Sequence, residues 1–352
     1  MSNPFTLSFG KEPTEFISRL ADTDHIIDDF TSDDPVSQVY MITGVRGSGK
    51  TVMLTKIKKR ISCLNNWIVV ELSPVKEMLD SLAAKMYLDP DIQKIFKSAK
   101  LELSKFGLGI SVENKPPVTD TETALSKMLA EIKKSGKRLL IIVDEIYKNK
   151  YTIEFASVFQ ILMRDGYPVF LLMTGLYEKI YDLQNEDGLT FLYRAPRIVM
   201  EPLSTNMITA TYKRIFNLST ESANKMAQYT LGYPFAFQVL GYLLWENGNP
   251  EELPNILEEY DHYLEEYVYA KIWSELSAKD KTILLTMSAL DKGEILPDQI
   301  KISAIRDELD MSNNEMSVYR ERLSRKGLVD KNTYGTLSFK LPRFSQIIRL
   351  WS

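Results

Sequence analysis

The chain of 352 residues is 44% hydrophobic and 26% charged, an ordinary globular composition that predicts two or three domains. No run approaches the roughly 20 apolar residues of a membrane helix, and Met1–Gly10 lacks the charged-then-apolar pattern of a secretory leader, so a cytoplasmic setting without a membrane is expected. One cysteine, Cys63, excludes an internal disulfide and a Cys-rich zinc site; two histidines leave little for His-based metal or triad chemistry; and a net charge of −4 carries no whole-chain nucleic-acid signature.

In chain order, short apolar runs at Val39–Thr43, Trp67–Glu71, Leu139–Asp144, Val169–Thr174 and Ile198–Met200 alternate with longer helical patterns. Such runs suit strands covered on both faces, and the alternation predicts an α/β domain with a mostly parallel sheet over residues 1–203. Phe106–Val112 reads as a small added strand, with a loop at Pro116–Pro117. Beyond Pro202 the pattern is helical. Ser219 or Thr220 caps a helix stopping near Gly232, Pro234 opens the next, Asn247–Pro254 is a polar break, and Asn255–Ser274 is an acidic, tyrosine-rich helix. Residues 204–270 are expected to form a helical lid and connecting helix, and residues 271–352 a third domain.

Gly44-Val45-Arg46-Gly47-Ser48-Gly49-Lys50-Thr51 fits the phosphate-binding pattern G-x-x-x-x-G-K-[ST]. Glycines let backbone N–H groups curl around phosphate, Lys50 places a cation on the β and γ phosphates, and the Thr51 hydroxyl can ligate Mg²⁺. The strand Val39–Thr43 before it and a helix over Lys50–Arg60 after it supply the required context. Leu139–Glu145 reads as a buried strand that presents Asp144 to the Mg²⁺ shell and Glu145 to the attacking water. Thr174 ends the next apolar strand, where it either touches the γ-phosphate or water or simply closes the strand. Arg194, with Arg197 as second choice, either reaches a γ-phosphate in its own or a neighbouring subunit or forms a surface ion pair. ATP and Mg²⁺ are the expected cofactors.

Ile302–Leu309 and Ser312–Lys326 read as two helices of a helix-turn-helix, with Ser312 and Glu315 as a capping box, and Asp330–Phe339 as a wing tipped by Tyr334-Gly335. From Lys271 onward there are 14 basic and 11 acidic residues against 29 and 36 before it, a local charge of +3 beside −7. The second helix would offer Asn313, Asn314, Ser317, Arg320 and Ser324 outward, with Arg325, Lys326 and Lys331 near phosphates of double-stranded DNA. The same module can instead dock a protein, and self-association stays open.

These motifs resemble AAA+-type ATPases related to the origin-recognition and cell-division-cycle initiators and to the signalling ATPases called STAND, in particular ATP-binding proteins that end in a winged helix. The resemblance rests on Asn3-Pro4-Phe5-Thr6…Phe9-Gly10…Pro13, on Thr43–Thr51, on Leu189–Ala195, and on Gly232-Tyr233-Pro234-Phe235 with Gln238…Gly241-Tyr242. In the tail it rests on Tyr319–Leu323, Gly327-Leu328-Val329 and Tyr334-Gly335…Phe339…Leu341-Pro342. It implies an ASCE/AAA+ P-loop fold, a helical lid, a C-terminal winged helix-turn-helix and slow ATP hydrolysis. Two departures stand out. Ser18-Arg19 replaces the usual Gly-Arg pair near adenine, and the lid carries Gly232-Tyr233-Pro234 where initiators usually carry an arginine, which favours a switch over a fast motor. The functions implied are a nucleotide-driven switch acting on DNA, a STAND-like signalling or assembly switch, or a degenerate nucleotide-binding protein. Intact Lys50, Thr51, Asp144 and Glu145 argue against the last.

Overall fold

A computed structural model describes residues 2–7, 14–15, 17, 19–98, 121–247 and 253–351. The expected strand at Phe106–Val112, the loop at Pro116–Pro117, and Phe9, Gly10, Pro13 and Ser18 lie outside these residues. The chain divides into two compact units, Arg19–Thr43 with Lys50–Val199, and Met1–Ser18 with Gly44–Gly49 and Met200–Ser352.

The unit of residues 19–43 and 50–199 is a five-stranded sheet with helices. In chain order it contains α1 (Leu20–Thr31), β1 (Val39–Thr43), α2 (Lys50–Ser62), β2 (Trp67–Leu72), α3 (Met78–Leu88), α4 (Pro90–Ser98), α5 (Thr121–Lys134) and β3 (Arg138–Val143). It continues through α6 (Lys150–Arg164), β4 (Val169–Gly175), α7 (Tyr177–Gln184), α8 (Thr190–Arg194) and β5 (Arg197–Val199). The strand order is β2-β3-β4-β1-β5, and every pairing is parallel. All residues of β1 and β4 are buried, as the unbroken apolar runs require of strands covered on both faces. The expected strands form within one or two residues of their predicted ends; Asp144 lies one residue past β3 rather than inside it. Helix α6 begins with a reciprocal cap, in which the Asn149 side chain accepts from the Tyr151 and Thr152 amides while Thr152 accepts from the Asn149 amide. Cys63, just past α2, is an exposed free thiol.

The other unit is helical apart from one small sheet. It contains α9 (Thr205–Phe216), α10 (Thr220–Thr230), α11 (Pro234–Asn247), α12 (Leu253–Leu264), a π-helical turn over Glu265–Tyr269, α13 (Ala270–Ser274) and α14 (Ala278–Leu290). Then come β6 (Ile300–Lys301), α15 (Ile302–Leu309), α16 (Asn313–Arg325), β7 (Val329–Asp330), β8 (Thr336–Phe339) and α17 (Phe344–Arg349). The three short strands pair antiparallel in the order β6-β8-β7. The helix–helix–hairpin order matches the sequence expectation, while β6, the π-helical turn and α17 were not anticipated. Ser312 accepts from the Glu315 amide, but the reciprocal half of the expected capping box is absent, because the Glu315 carboxylate turns to Lys279 at 3.3 Å.

Residues from the start of the chain complete this core. The Phe5 ring stacks on Phe216 at 5.9 Å and meets Phe237 edge-on at 5.5 Å. It occupies the space a side chain at Gly241 would need. Asn3 donates to the Tyr242 carbonyl at 3.3 Å and to Glu246 at 2.8 Å, and the Thr6 amide donates to Gln238 at 3.0 Å. Two sequence motifs far apart in the chain, Asn3–Thr6 and Gln238–Tyr242, are therefore one packing arrangement.

Candidate functional site

The carboxyl ends of β3 and β4 bring four of the expected site residues together. The Thr51 hydroxyl donates to Asp144 Oδ2 at 2.9 Å, and the Thr174 hydroxyl donates to Asp144 Oδ1. The Glu145 amide donates to Asp144 Oδ1 at 3.0 Å and to Thr174 Oγ1 at 3.2 Å. Register explains this convergence: Val143 pairs with Met173, so Asp144 and Thr174 leave adjacent parallel strands at the same height. Thr174 is fully buried and Asp144 half-buried, whereas Glu145 is exposed at φ 51°, a left-handed backbone that a glutamate adopts at a cost. Lys50, 8% exposed, and Thr51 open α2. Arg194 is exposed at the last residue of α8, outside this hydrogen-bonded group, and Arg197 lies over the Tyr177 ring at 5.8 Å.

The remainder of the glycine-rich motif, Gly44–Gly49, belongs to the other unit. Gly47 and Gly49 have φ of 70° and 90°, which is the reason glycine occupies those two positions. Ser48 donates its amide back to the Val45 carbonyl at 3.3 Å. The Ser48 hydroxyl is buried and has no hydrogen-bond partner among the described residues, the kind of orphaned polar atom that an oxyanion ligand satisfies.

Sequence reasoning matched Gly232–Phe235 only as a lid motif; the structure places it against this turn. The Tyr233 hydroxyl donates to the Arg46 carbonyl, and the Phe235 amide donates to the Gly47 carbonyl at 3.2 Å. A Cβ on Gly47 would collide with the Tyr233 hydroxyl. Tyr233 is 4% exposed, and burial pushes its pKa up, with Arg46 pulling weakly the other way, so the hydroxyl stays a donor. Arg46 also pairs with Glu275 at 3.4 Å, and Val45 fills the space beside Gly327. No signal in one sequence announces a tyrosine-to-carbonyl bond spanning nearly 190 residues.

Two of the three basic residues expected to meet DNA phosphates, Arg325 and Lys331, are engaged by an acidic neighbour. Glu321 accepts from both Arg325, at 3.2 Å, and Lys331, and these partners, Lys331 foremost, hold its carboxyl below the usual glutamate range. Arg322 pairs at 3.1 Å with Asp280, whose side chain is fully buried. Of the outward candidates, Asn313, Asn314 and Ser317 are exposed and Arg320 and Ser324 half-buried. Among the described residues no helix is long and apolar enough to cross a membrane, and no cluster of three or more His, Cys, Asp or Glu could hold a metal.

The parallel sheet ordered in this way, with the carboxylate and hydroxyls above its carboxyl edge, has the P-loop AAA+ fold, which solved structures share. A Walker-type ATPase of Pyrococcus abyssi matches with a TM-score of 0.60 at 14% identity, over 95% of this chain and 96% of that one. The ORC2 protein of Aeropyrum pernix matches in its ADPNP–ADP complexes with a TM-score of 0.59, and in its ADP form with 0.50. Both are at 14% identity, over 97% of this chain and 95% of theirs. Residues 266–348 match a family model described as a domain of unknown function (DUF8462). No curated protein matches the chain.

Proposed function

We propose that the chain is a nucleotide-dependent switch that binds ATP·Mg²⁺ through Gly44–Thr51 and Asp144 and hydrolyses ATP slowly. The observation that carries this reading is the Thr51–Asp144 hydrogen bond at 2.9 Å, with Thr174 on the other carboxylate oxygen. Two hard oxygen donors held this close suit Mg²⁺, which prefers oxygen ligands and few of them from protein. Bound there, the ion would supply charge neutralisation between phosphates. Lys50 faces the same charge, Glu145 orients the water, and Thr174 keeps Asp144 aimed. Arg194 is the proposed γ-phosphate contact, favoured over Arg197 because the latter is engaged by Tyr177.

The test is a thermal-shift and turnover series. ATP at about 100 times its dissociation constant should stabilise the wild type by roughly 2.7 kcal/mol, and Lys50→Ala should abolish the effect. Glu145→Gln should keep ATP bound while stopping turnover, and Arg194→Ala should lower turnover far more than affinity. A melting temperature unmoved by ATP in the wild type would refute the nucleotide site, and equal loss of both quantities would remove Arg194 from its role.

For the C-terminal winged helix, the ion pairing of Arg322, Arg325 and Lys331 favours protein docking over duplex DNA. Phosphate contacts draw on cations whose partners are released counterions, and these cations already have carboxylates. Fluorescence anisotropy of the full chain on random duplex at low salt is expected to show no more than weak binding. Tight, steeply salt-dependent binding would reverse this preference and restore the DNA-acting switch.

A further inference from the structure

The phosphate-binding turn depends on which way its peptide groups face. In a trans peptide the carbonyl and the next N–H point in opposite directions, and the described chain contains no cis bond. The Arg46 carbonyl and the Gly47 N–H share one peptide plane, and the Gly47 carbonyl and the Ser48 N–H share the next. Fixing the Arg46 carbonyl on one side therefore fixes the Gly47 N–H on the other, while the Ser48 N–H already donates to the Val45 carbonyl. Tyr233 holds the first carbonyl and the Phe235 amide holds the second. Gly47 could not resist a flip by itself, since a residue without Cβ crosses between backbone regions with little penalty. A flipped Arg46–Gly47 peptide would present a carbonyl oxygen to phosphate in place of a donor.

We infer that Tyr233 is a positioning residue of the nucleotide site: its hydroxyl locks the Arg46–Gly47 peptide so that the turn is ready for phosphate before nucleotide arrives. The assignment rests on the reading of Gly44–Thr51 as a nucleotide site. It gives the lid a task that differs from a direct phosphate contact, because Tyr233 acts through the backbone of the turn. It also explains the pairing of residue types, a glycine at 47 whose missing side chain admits the Tyr233 hydroxyl.

The same unit supplies an internal control. Tyr212 is also fully buried, and its hydroxyl also donates to a backbone carbonyl, that of Phe237 at 2.8 Å, but within the helical core and not on the turn. Tyr212→Phe and Tyr233→Phe each remove one oxygen from a buried ring and leave one carbonyl without its donor. Both are expected to fold and to melt somewhat lower than the wild type. Only Tyr233→Phe should raise the dissociation constant and KM for ATP, by about tenfold, with kcat at saturation nearly unchanged.

Hydrogen exchange on nucleotide-free protein provides the second readout. Amides of Gly47 to Gly49 should exchange faster in Tyr233→Phe than in the wild type and keep the wild-type rate in Tyr212→Phe. Exchange and affinity in Tyr233→Phe that equal the wild type would overturn the inference, as would a Tyr212→Phe variant that weakens ATP to the same degree. If the wild type binds no ATP, the nucleotide reading falls alone, and the exchange comparison still decides whether Tyr233 holds the turn.

Discussion

At Glu145 the backbone and the side chain make opposite demands. Its φ of 51° places an ordinary residue in left-handed space, at a cost of about 1–2 kcal/mol. Two hydrogen bonds from its amide, to Asp144 and Thr174, hold it there. Glycine relieves that strain but loses roughly 0.5–1 kcal/mol through the freer unfolded chain. Glu145→Gly is therefore expected to leave stability unchanged or slightly raised while turnover stops, measured by denaturant titration and phosphate release. A clear loss of stability would mean that the side chain, and not the chemistry proposed for it, keeps glutamate at this position. The acidic pair was legible in the sequence because an apolar run ending in Asp-Glu is a local pattern. The strain was not legible, because it comes from strand-end hydrogen bonds between residues 30 apart.

The elements divide along the same line. Buried strands declared themselves as runs of Val, Ile, Leu and Met, whose side chains face apolar neighbours on both sides. Helices α15 and α16 were found nearly to the residue, with Ser312 marking the cap of the second. The two-residue strand β6 and the π-helical turn carry no periodicity of their own and exist only through their partners. Strand order was equally silent, since parallel neighbours are chosen by packing and not by adjacency in the chain. Helix α14 hides a further device. Asp280 closes the cap with Ser277 and also pairs with Arg322 on α16, all at zero exposure of its own side chain. Removing Asp280 leaves only a half-exposed arginine, so Asp280→Ala should cost about 1–2 kcal/mol. Removing Arg322 strands a buried carboxylate, so Arg322→Ala should cost more, about 2–3 kcal/mol, and the double variant should recover part of the difference. Chemical denaturation of the three variants checks the order; a smaller loss in Arg322→Ala than in Asp280→Ala would show that Asp280 gains nothing from its cation.

In the whole molecule, the sequence disclosed that an α/β region is followed by helices and, near the end, by a helix pair and a short hairpin. It did not disclose that residues 1–18 and the glycine-rich turn Gly44–Gly49 group with the later part, because such a discontinuous unit leaves no compositional boundary. The apolar residue Phe5 looked like a family signature; its place among Phe216, Phe237 and Gly241 gives the signature a physical cause. That placement also sets an order of events during synthesis. The partners of Phe5 lie more than 200 residues downstream, and at about 5–20 residues per second a ribosome takes roughly 10–50 s to deliver them. The sheet of residues 19–199 has all its strands by then and can fold first. Throughout that interval the nascent segment carrying Phe5 holds an unsheltered phenylalanine, so a stretch made before the sheet finds its place only after the sheet has formed.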